Sequence, residues 1–168
     1  IHLFEFEDLK WFPDFVRVCM TRYLLLIHKL FGSHPVIKDL LSKTLKETGK
    51  NKIIDLCSGA GGPMIKAHQE LRKEEFPNLE LKLSDLYPNL KAADQINSEK
   101  LEGIQYVKDS VDATHPQKEL DGLRTMVCSF HHMTEENAKA ILKDAFDNKQ
   151  AILIFEISDN SSPKALWW

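Results

Sequence analysis

The chain has 168 residues, enough for one core, with 43% apolar and 28% charged residues and no repetitive tract, a composition that argues for an ordinary globular domain and against disorder. Its net charge of -3 provides no electrostatic reason to expect a nucleic acid or an anionic membrane as the main partner. Cys19, Cys57 and Cys128 are odd in number and far apart, with no C-x-x-C pair, against a disulfide framework or a zinc site and in favour of a reducing, cytoplasmic setting.

Asp14, after Pro13, has the character of an N-cap, and the segment "FVRVCMTRYLLLIHKLF" that follows carries a helical pattern ending at Gly32. Its longest apolar run, Tyr23 to Ile27, is broken by His28 and Lys29, far short of the ~20 residues that span a bilayer. No transmembrane or signal segment is expected. A second helix is predicted from near Pro35 to Gly49, with Val36, Leu40, Leu41 and Leu45 on one stripe. Residues 1–49 therefore read as an N-terminal helical cap.

From Lys50 short apolar runs alternate with amphipathic stretches, the signature of β-α-β units and a parallel sheet. The predicted strands are "IIDLC" from Ile53, "LELKLSD" from Leu79, "IQYVK" from Ile104, "TMVCSF" from Thr125 and "AILIFE" from Ala151. Between them lie the helices "PMIKAHQELRKEE", "NLKAADQINSEK" and "EENAKAILKDAFD", the last with Thr134 as N-cap and Glu135 and Glu136 against the positive end of its dipole. The expected fold class is α/β: a Rossmann-like, doubly wound, mostly parallel sheet of about five strands in the order 3-2-1-4-5, spanning residues 50–168. Ligands of such sheets bind outside the carboxyl ends of the strands.

The first strand end carries Asp55, Cys57, Ser58, Gly59, Gly61 and Gly62, where glycines permit positive φ and close approach of a ligand to the backbone. A tight turn without a ligand is one reading. A phosphate loop is excluded by the absence of Lys followed by Ser or Thr after the glycines. A dinucleotide turn fits poorly, because Met64 stands where the third glycine of G-x-G-x-x-G belongs and because Asp55 repels a pyrophosphate. An acid before the glycines suits a positively charged ligand.

Asp85, after the second strand, can accept from both hydroxyls of a ribose or can cap a helix. Asp109 and Asp112 follow the third strand, where either can accept from a base amine or simply face solvent. Phe130, His131, His132 and Met133 follow the fourth strand, and Glu156 and Asp159 the fifth. Adjacent histidines point apart and make a poor chelating pair, so no metal is expected. One histidine serves as base or donor in an acceptor pocket while the other packs, or both pack or cap.

Taken together, "IIDLCSGAGG", "LSDLY", "VDAT", "RTMVCSFHHM" and "AILIFEISD" resemble the class I S-adenosylmethionine-dependent methyltransferases over about Lys50 to Asp159. Cys57 stands where that family's first motif has its first glycine, and Gly59 and Gly61 supply the others. By this resemblance Asp55 helps hold the amino-acid end of S-adenosylmethionine, Gly59 and Gly61 let it lie against the turn, Asp85 holds the ribose, and Asp112 with Ala113 borders the adenine. Cys57, Ser58, Leu86 and Phe130 complete the expected cofactor-binding set, and His131 and His132 are the candidate bases. The segments "FEFEDLKWFPDFVR", "VDATHP" and "GLRTMVCSFHHMTEENAKAIL" also resemble a bacterial branch of the family whose acceptor the motifs do not name.

The resemblance implies methyl transfer to a small-molecule acceptor, with S-adenosylhomocysteine as product and no nucleic-acid partner. It also implies a longer chain, because class I methyltransferases normally have two further strands after the fifth and nothing after Asp159 supplies them. A non-catalytic cofactor-binding or scaffold domain is the alternative, and a nicotinamide oxidoreductase is the third reading. The oligomeric state is not legible.

Overall fold

A computed structural model describes residues 33–157, together with Pro13 and Val16. Apart from Val16, the helix expected from Asp14 to Gly32 lies outside the described residues, as does Asp159. The sheet contains β1 (Lys52–Asp55), β2 (Glu80–Leu83), β3 (Ile104–Tyr106), β4 (Leu123–Val127) and β5 (Ile152–Phe155). All neighbouring pairs are parallel and the order is β3-β2-β1-β4-β5, the doubly wound order expected from the alternation of apolar runs and helical stretches. The helices are α1 (Ser33–Thr48), α2 (Met64–Glu74), α3 (Leu90–Ser98) and α4 (Glu135–Asp147).

Successive strand residues point to opposite faces, and the two halves of the core follow that alternation. On one face Ile53, Leu81, Leu83, Tyr106 and Leu123 are buried with Ile37, Leu41 and Leu45 of α1, Ala67 and Leu71 of α2, and Ala93 and Ile96 of α3. On the other, Ile54, Leu56 and Met126 pack with Ile141 of α4 and with Val111, Ala113 and Leu120 of the β3-β4 connection. The central strands are short apolar runs because both faces are covered.

Local chemistry ends the helices where expected. Gly49, past α1, has φ +66, the left-handed conformation that closes a helix. Asn89 and Thr134 cap α3 and α4, accepting from the amides of Ala92 at 3.0 Å and Asn137 at 3.2 Å. Helix α4 is tied to the sheet by Arg124 of β4, whose Nη1 donates to Asp144 Oδ2 at 2.6 Å with both side chains largely buried. The observed β4 begins at Leu123, two positions before the strand predicted from Thr125, because Arg124 is carried inside by that ion pair, and it ends at Val127, short of the predicted Phe130.

Since every strand runs the same way, the segments after β1, β2, β3, β4 and β5 gather at one end of the sheet. That end holds the residues singled out from the sequence.

Candidate functional site

Asp55, the last residue of β1, is 3% exposed. The parallel register sets Thr125 of β4 opposite it, and the Thr125 hydroxyl donates to Asp55 Oδ1 at 2.6 Å. The Ser58 hydroxyl donates to Oδ2 at 2.7 Å, and the backbone carbonyl of Asp55 accepts the amide and the hydroxyl of Ser84, each at 2.9 Å. The carboxylate is thus turned inward, joining β1, β4 and the glycine turn. Burial pushes its pKa up to about 6, against the pull of the Thr125 and Ser58 hydroxyls, and the charge of Asp85 adds to the rise.

The turn from Leu56 to Gly62 is left-handed at several positions: Cys57 has φ +57, Gly59 +54, Gly61 +92 and Gly62 +43. Cys57 adopts this conformation despite its Cβ, which costs on the order of 1 kcal/mol or more. Its side chain packs against the Ile54, Leu56 and Met126 cluster. The thiol is pushed up to about 12 by burial first and then by Asp85, Asp55 and Asp112, so it is a neutral side chain set among three carboxylates rather than a nucleophile. That negative surrounding favours a cationic ligand.

Two of the three glycines of the turn, Gly59 and Gly61, do different work. A Cβ at Gly61 would meet Ile65 Cδ1 at 2.9 Å and Leu83 Cδ1 at 3.2 Å, so Gly61 lets the turn pack on α2 and β2. A Cβ at Gly59 would meet nothing within 4 Å, so Gly59 borders open space where a ligand can approach the backbone.

Asp85 bridges the ends of β1 and β2. Its Oδ2 accepts the Gly59 amide and its Oδ1 the Tyr87 amide, both at 2.9 Å, leaving lone pairs on each oxygen for further donors. The Asp85 carbonyl accepts from Val111 N at 2.9 Å and the Ser110 hydroxyl bonds Leu86 O at 2.7 Å, which brings the segment after β3 beside Asp85. In that segment Ala113 is buried, while Asp112 is exposed and accepts from the amide and hydroxyl of Thr114 at 2.8 and 2.6 Å. These bonds hold its carboxyl below the usual range. Leu86 is exposed beside Asp85.

After β4 the chain makes a 3-10 turn over Phe130–His132. Glu156, directly after β5, grips it: Oε1 accepts the Phe130 amide at 2.8 Å and Oε2 pairs with His131 Nδ1 at 2.7 Å. A proton on Nδ1 directed at the carboxylate leaves Nε2 as an acceptor. His132 stacks on His131 with ring centroids 4.0 Å apart and planes at 42°, and Phe130 packs on the Ile54, Leu56 and Met126 cluster. Among the described residues no cluster of three or more His, Cys, Asp or Glu side chains could hold a metal ion, and no helix is long and apolar enough to cross a membrane.

The structure therefore brings Asp55, Cys57, Ser58, Gly59 and Asp85 into one hydrogen-bonded and electrostatic group, with Asp112 and Ala113 beside it on the next segment. Phe130, His131 and His132 stand on the other side of β1, above β4. Sequence reasoning missed Thr125 and Tyr106, which hold that group from within the sheet, Ser84, which holds it from just past β2, and Ser129, whose hydroxyl is buried at the start of the 3-10 turn without a partner among the described residues. A polar residue inside an apolar strand, as Thr125 and Tyr106 are, is the signal that marks them.

No family model matches the chain, and no curated protein does. Solved structures do. An O-methyltransferase family protein from Burkholderia thailandensis superposes with a TM-score of 0.59 at 18% identity, covering 89% of this chain and 44% of that one. The S-adenosylmethionine-dependent methyltransferase SibL, in its apo form, gives 0.58 at 15% identity over 96% of this chain and 45% of its own. The methyltransferase domain of bacterial CtHen1 gives 0.51 at 20% identity over 70% and 63%. The chain thus spans less than two thirds of the length of each of these structures. Strand order, parallel pairing and superposition agree: the chain has the class I S-adenosylmethionine-dependent methyltransferase fold.

Proposed function

We propose that this chain binds S-adenosylmethionine at the Asp55-Gly59-Asp85 turn and transfers its methyl group to an oxygen or nitrogen of a small-molecule acceptor, with His131 as base. The observation that carries the reading is the glycine turn held by Asp85 amid three carboxylates, with open space over Gly59. It fits this cofactor on chemistry: the carboxylates favour a cation, Asp85 keeps acceptor capacity for a diol, and Gly59 leaves the backbone accessible. When bound, S-adenosylmethionine would supply a methyl group activated by its sulfonium, with S-adenosylhomocysteine as the leaving thioether.

The chain's own residues then align and deprotonate. Cys57, Ser58, Leu86, Asp112, Ala113 and Phe130 form the remaining wall of the cofactor site, and Gly61 seats the turn on α2 and β2 beneath it. His131 takes the acceptor's proton at Nε2, and Glu156, holding Nδ1, stabilises the imidazolium that forms. Positioning and exclusion of water account for the rest of the rate.

Calorimetric titration of the full chain with S-adenosylhomocysteine tests the cofactor, with NAD as the control. Binding of the first and not the second is expected, and the reverse overturns the reading. Turnover on a panel of phenols, carboxylic acids and amines then separates an enzyme from a domain that binds without catalysis.

A further inference from the structure

Tyr106 ends β3, the outermost strand on its side of the sheet, yet is 1% exposed. It lies among Leu83, Ala93 and Ile96, and its hydroxyl donates to the carbonyl of Gly59 at 2.6 Å. The Gly59 amide donates to Asp85 Oδ2 at 2.9 Å. Both polar groups of one glycine are therefore held by side chains, one from β3 and one from the end of β2.

Gly59 has φ +54 and open space where a Cβ would stand, whereas a Cβ at Gly61 would meet Ile65 and Leu83; the bonds from Tyr106 and Asp85 add to the backbone bonds on either side, Ser58 N to Ser84 O at 2.9 Å and Gly61 N to Ser58 O at 2.8 Å. Tyr106 is itself anchored: Asn97 Oδ1 accepts its amide at 2.8 Å and Asn97 Nδ2 donates to its carbonyl at 3.0 Å, so a side chain from α3 occupies the place of a neighbouring strand. Burial, with the nearby charge of Asp85, pushes the phenol up to about 12, and it stays a donor over the working range.

We infer that Tyr106 is a positioning residue for ribonucleoside recognition: its hydroxyl holds Gly59 so that the Gly59 amide orients Asp85 toward a vicinal diol. The inference rests on the cofactor reading above. Asp85 has one backbone donor per oxygen, and a carboxylate so fixed presents its remaining lone pairs in set directions at no further ordering cost.

The test is a double-mutant cycle in the full chain with S-adenosylhomocysteine as the titrant, using Tyr106→Phe, Asp85→Asn and the pair, each also melted thermally. Tyr106→Phe is expected to weaken binding about tenfold, the range for one lost hydrogen bond, and to weaken it less than threefold in the Asp85→Asn background. Equal losses in both backgrounds overturn the inference, as does a lowered melting temperature with unchanged binding; in either case the cofactor reading stands. Absence of binding by the unmodified chain overturns both.

Discussion

Glu156 and His131 form one unit, with the carboxylate Oε2 2.7 Å from Nδ1 and its other oxygen on the Phe130 amide at 2.8 Å. If the imidazole is the base, Glu156 orients it and stabilises its charged form. Glu156→Gln keeps an acceptor for Phe130 but removes the charge. It is expected to lower kcat by roughly 10- to 100-fold, in the range of general-base contributions, with S-adenosylhomocysteine affinity within twofold. His131→Ala should cost at least as much, and His132→Ala less. Unchanged kcat in both Glu156→Gln and His131→Ala, measured with an identified acceptor, removes the role.

Gly59 and Gly61 should separate binding from folding. At Gly59 a side chain enters open space, so Gly59→Val is expected to block the ligand and to cost about 1 to 2 kcal/mol of stability from its left-handed backbone. At Gly61 the backbone is left-handed at φ +92 and a methyl group would press on the Cδ1 ends of Ile65 and Leu83, so Gly61→Ala should lower the melting temperature while leaving the ligand's space open. Calorimetry beside thermal melts checks the contrast. A Gly59→Val variant that binds normally would mean that the ligand lies elsewhere.

Asp85→Ala tests the ribose contact. Loss of a charged acceptor should weaken S-adenosylhomocysteine binding by about 1.5 to 3 kcal/mol while the circular dichroism spectrum is kept. Adenosine binding should fall by a similar factor, because the contact is to the sugar.

Asp55 sets a pH dependence of stability. Its folded pKa, about 6, lies above the ordinary 3.8, so the folded state holds the proton more tightly than the unfolded chain does. Its contribution is complete below about pH 4 and is lost as pH rises through about 6, at ~1.4 kcal/mol per pH unit over that window. Asp55→Asn removes the charge and leaves a side chain that Thr125 and Ser58 can still bond. The variant should be more stable than the parent at pH 8, by denaturant titration, and should bind S-adenosylmethionine more weakly. A variant less stable at pH 8 contradicts this account.

His68 acts in the opposite sense. It is fully buried in α2, its Nε2 lies 2.9 Å from Leu79 O, and its Nδ1 has no partner among the described residues. Burial, with the Arg72 charge nearby, lowers its pKa from 6.5. Neutral His68 therefore contributes stability that is complete above about pH 6.5 and is lost as pH falls below it. His68→Leu should flatten that loss because leucine does not titrate, and the Leu79 carbonyl keeps a donor in Arg72 Nη1 at 2.9 Å. Urea midpoints between pH 5 and 7.5 for the variant and parent give the comparison.

Much of the architecture was legible in order along the chain. Apolar runs such as "IIDLC" and "AILIFE", the cap at Thr134, and glycines at a strand end are local signals, because period, capping and positive φ depend on near neighbours. Asp85 was legible too, since a carboxylate after the second strand follows from the strand count. What Asp55 does with its carboxylate was not: the sequence places it at a strand end, but its partner Thr125 is 70 positions away and is chosen by the register of β1 on β4. Tyr106 reaches Gly59 across 47 positions because β3 lies outside β2, and Glu156 finds His131 because β5 lies beside β4. The sequence by itself determined the elements and the chemistry at each strand end; only strand order and register, which arise from burying both faces of the sheet at once, decided which of those residues meet.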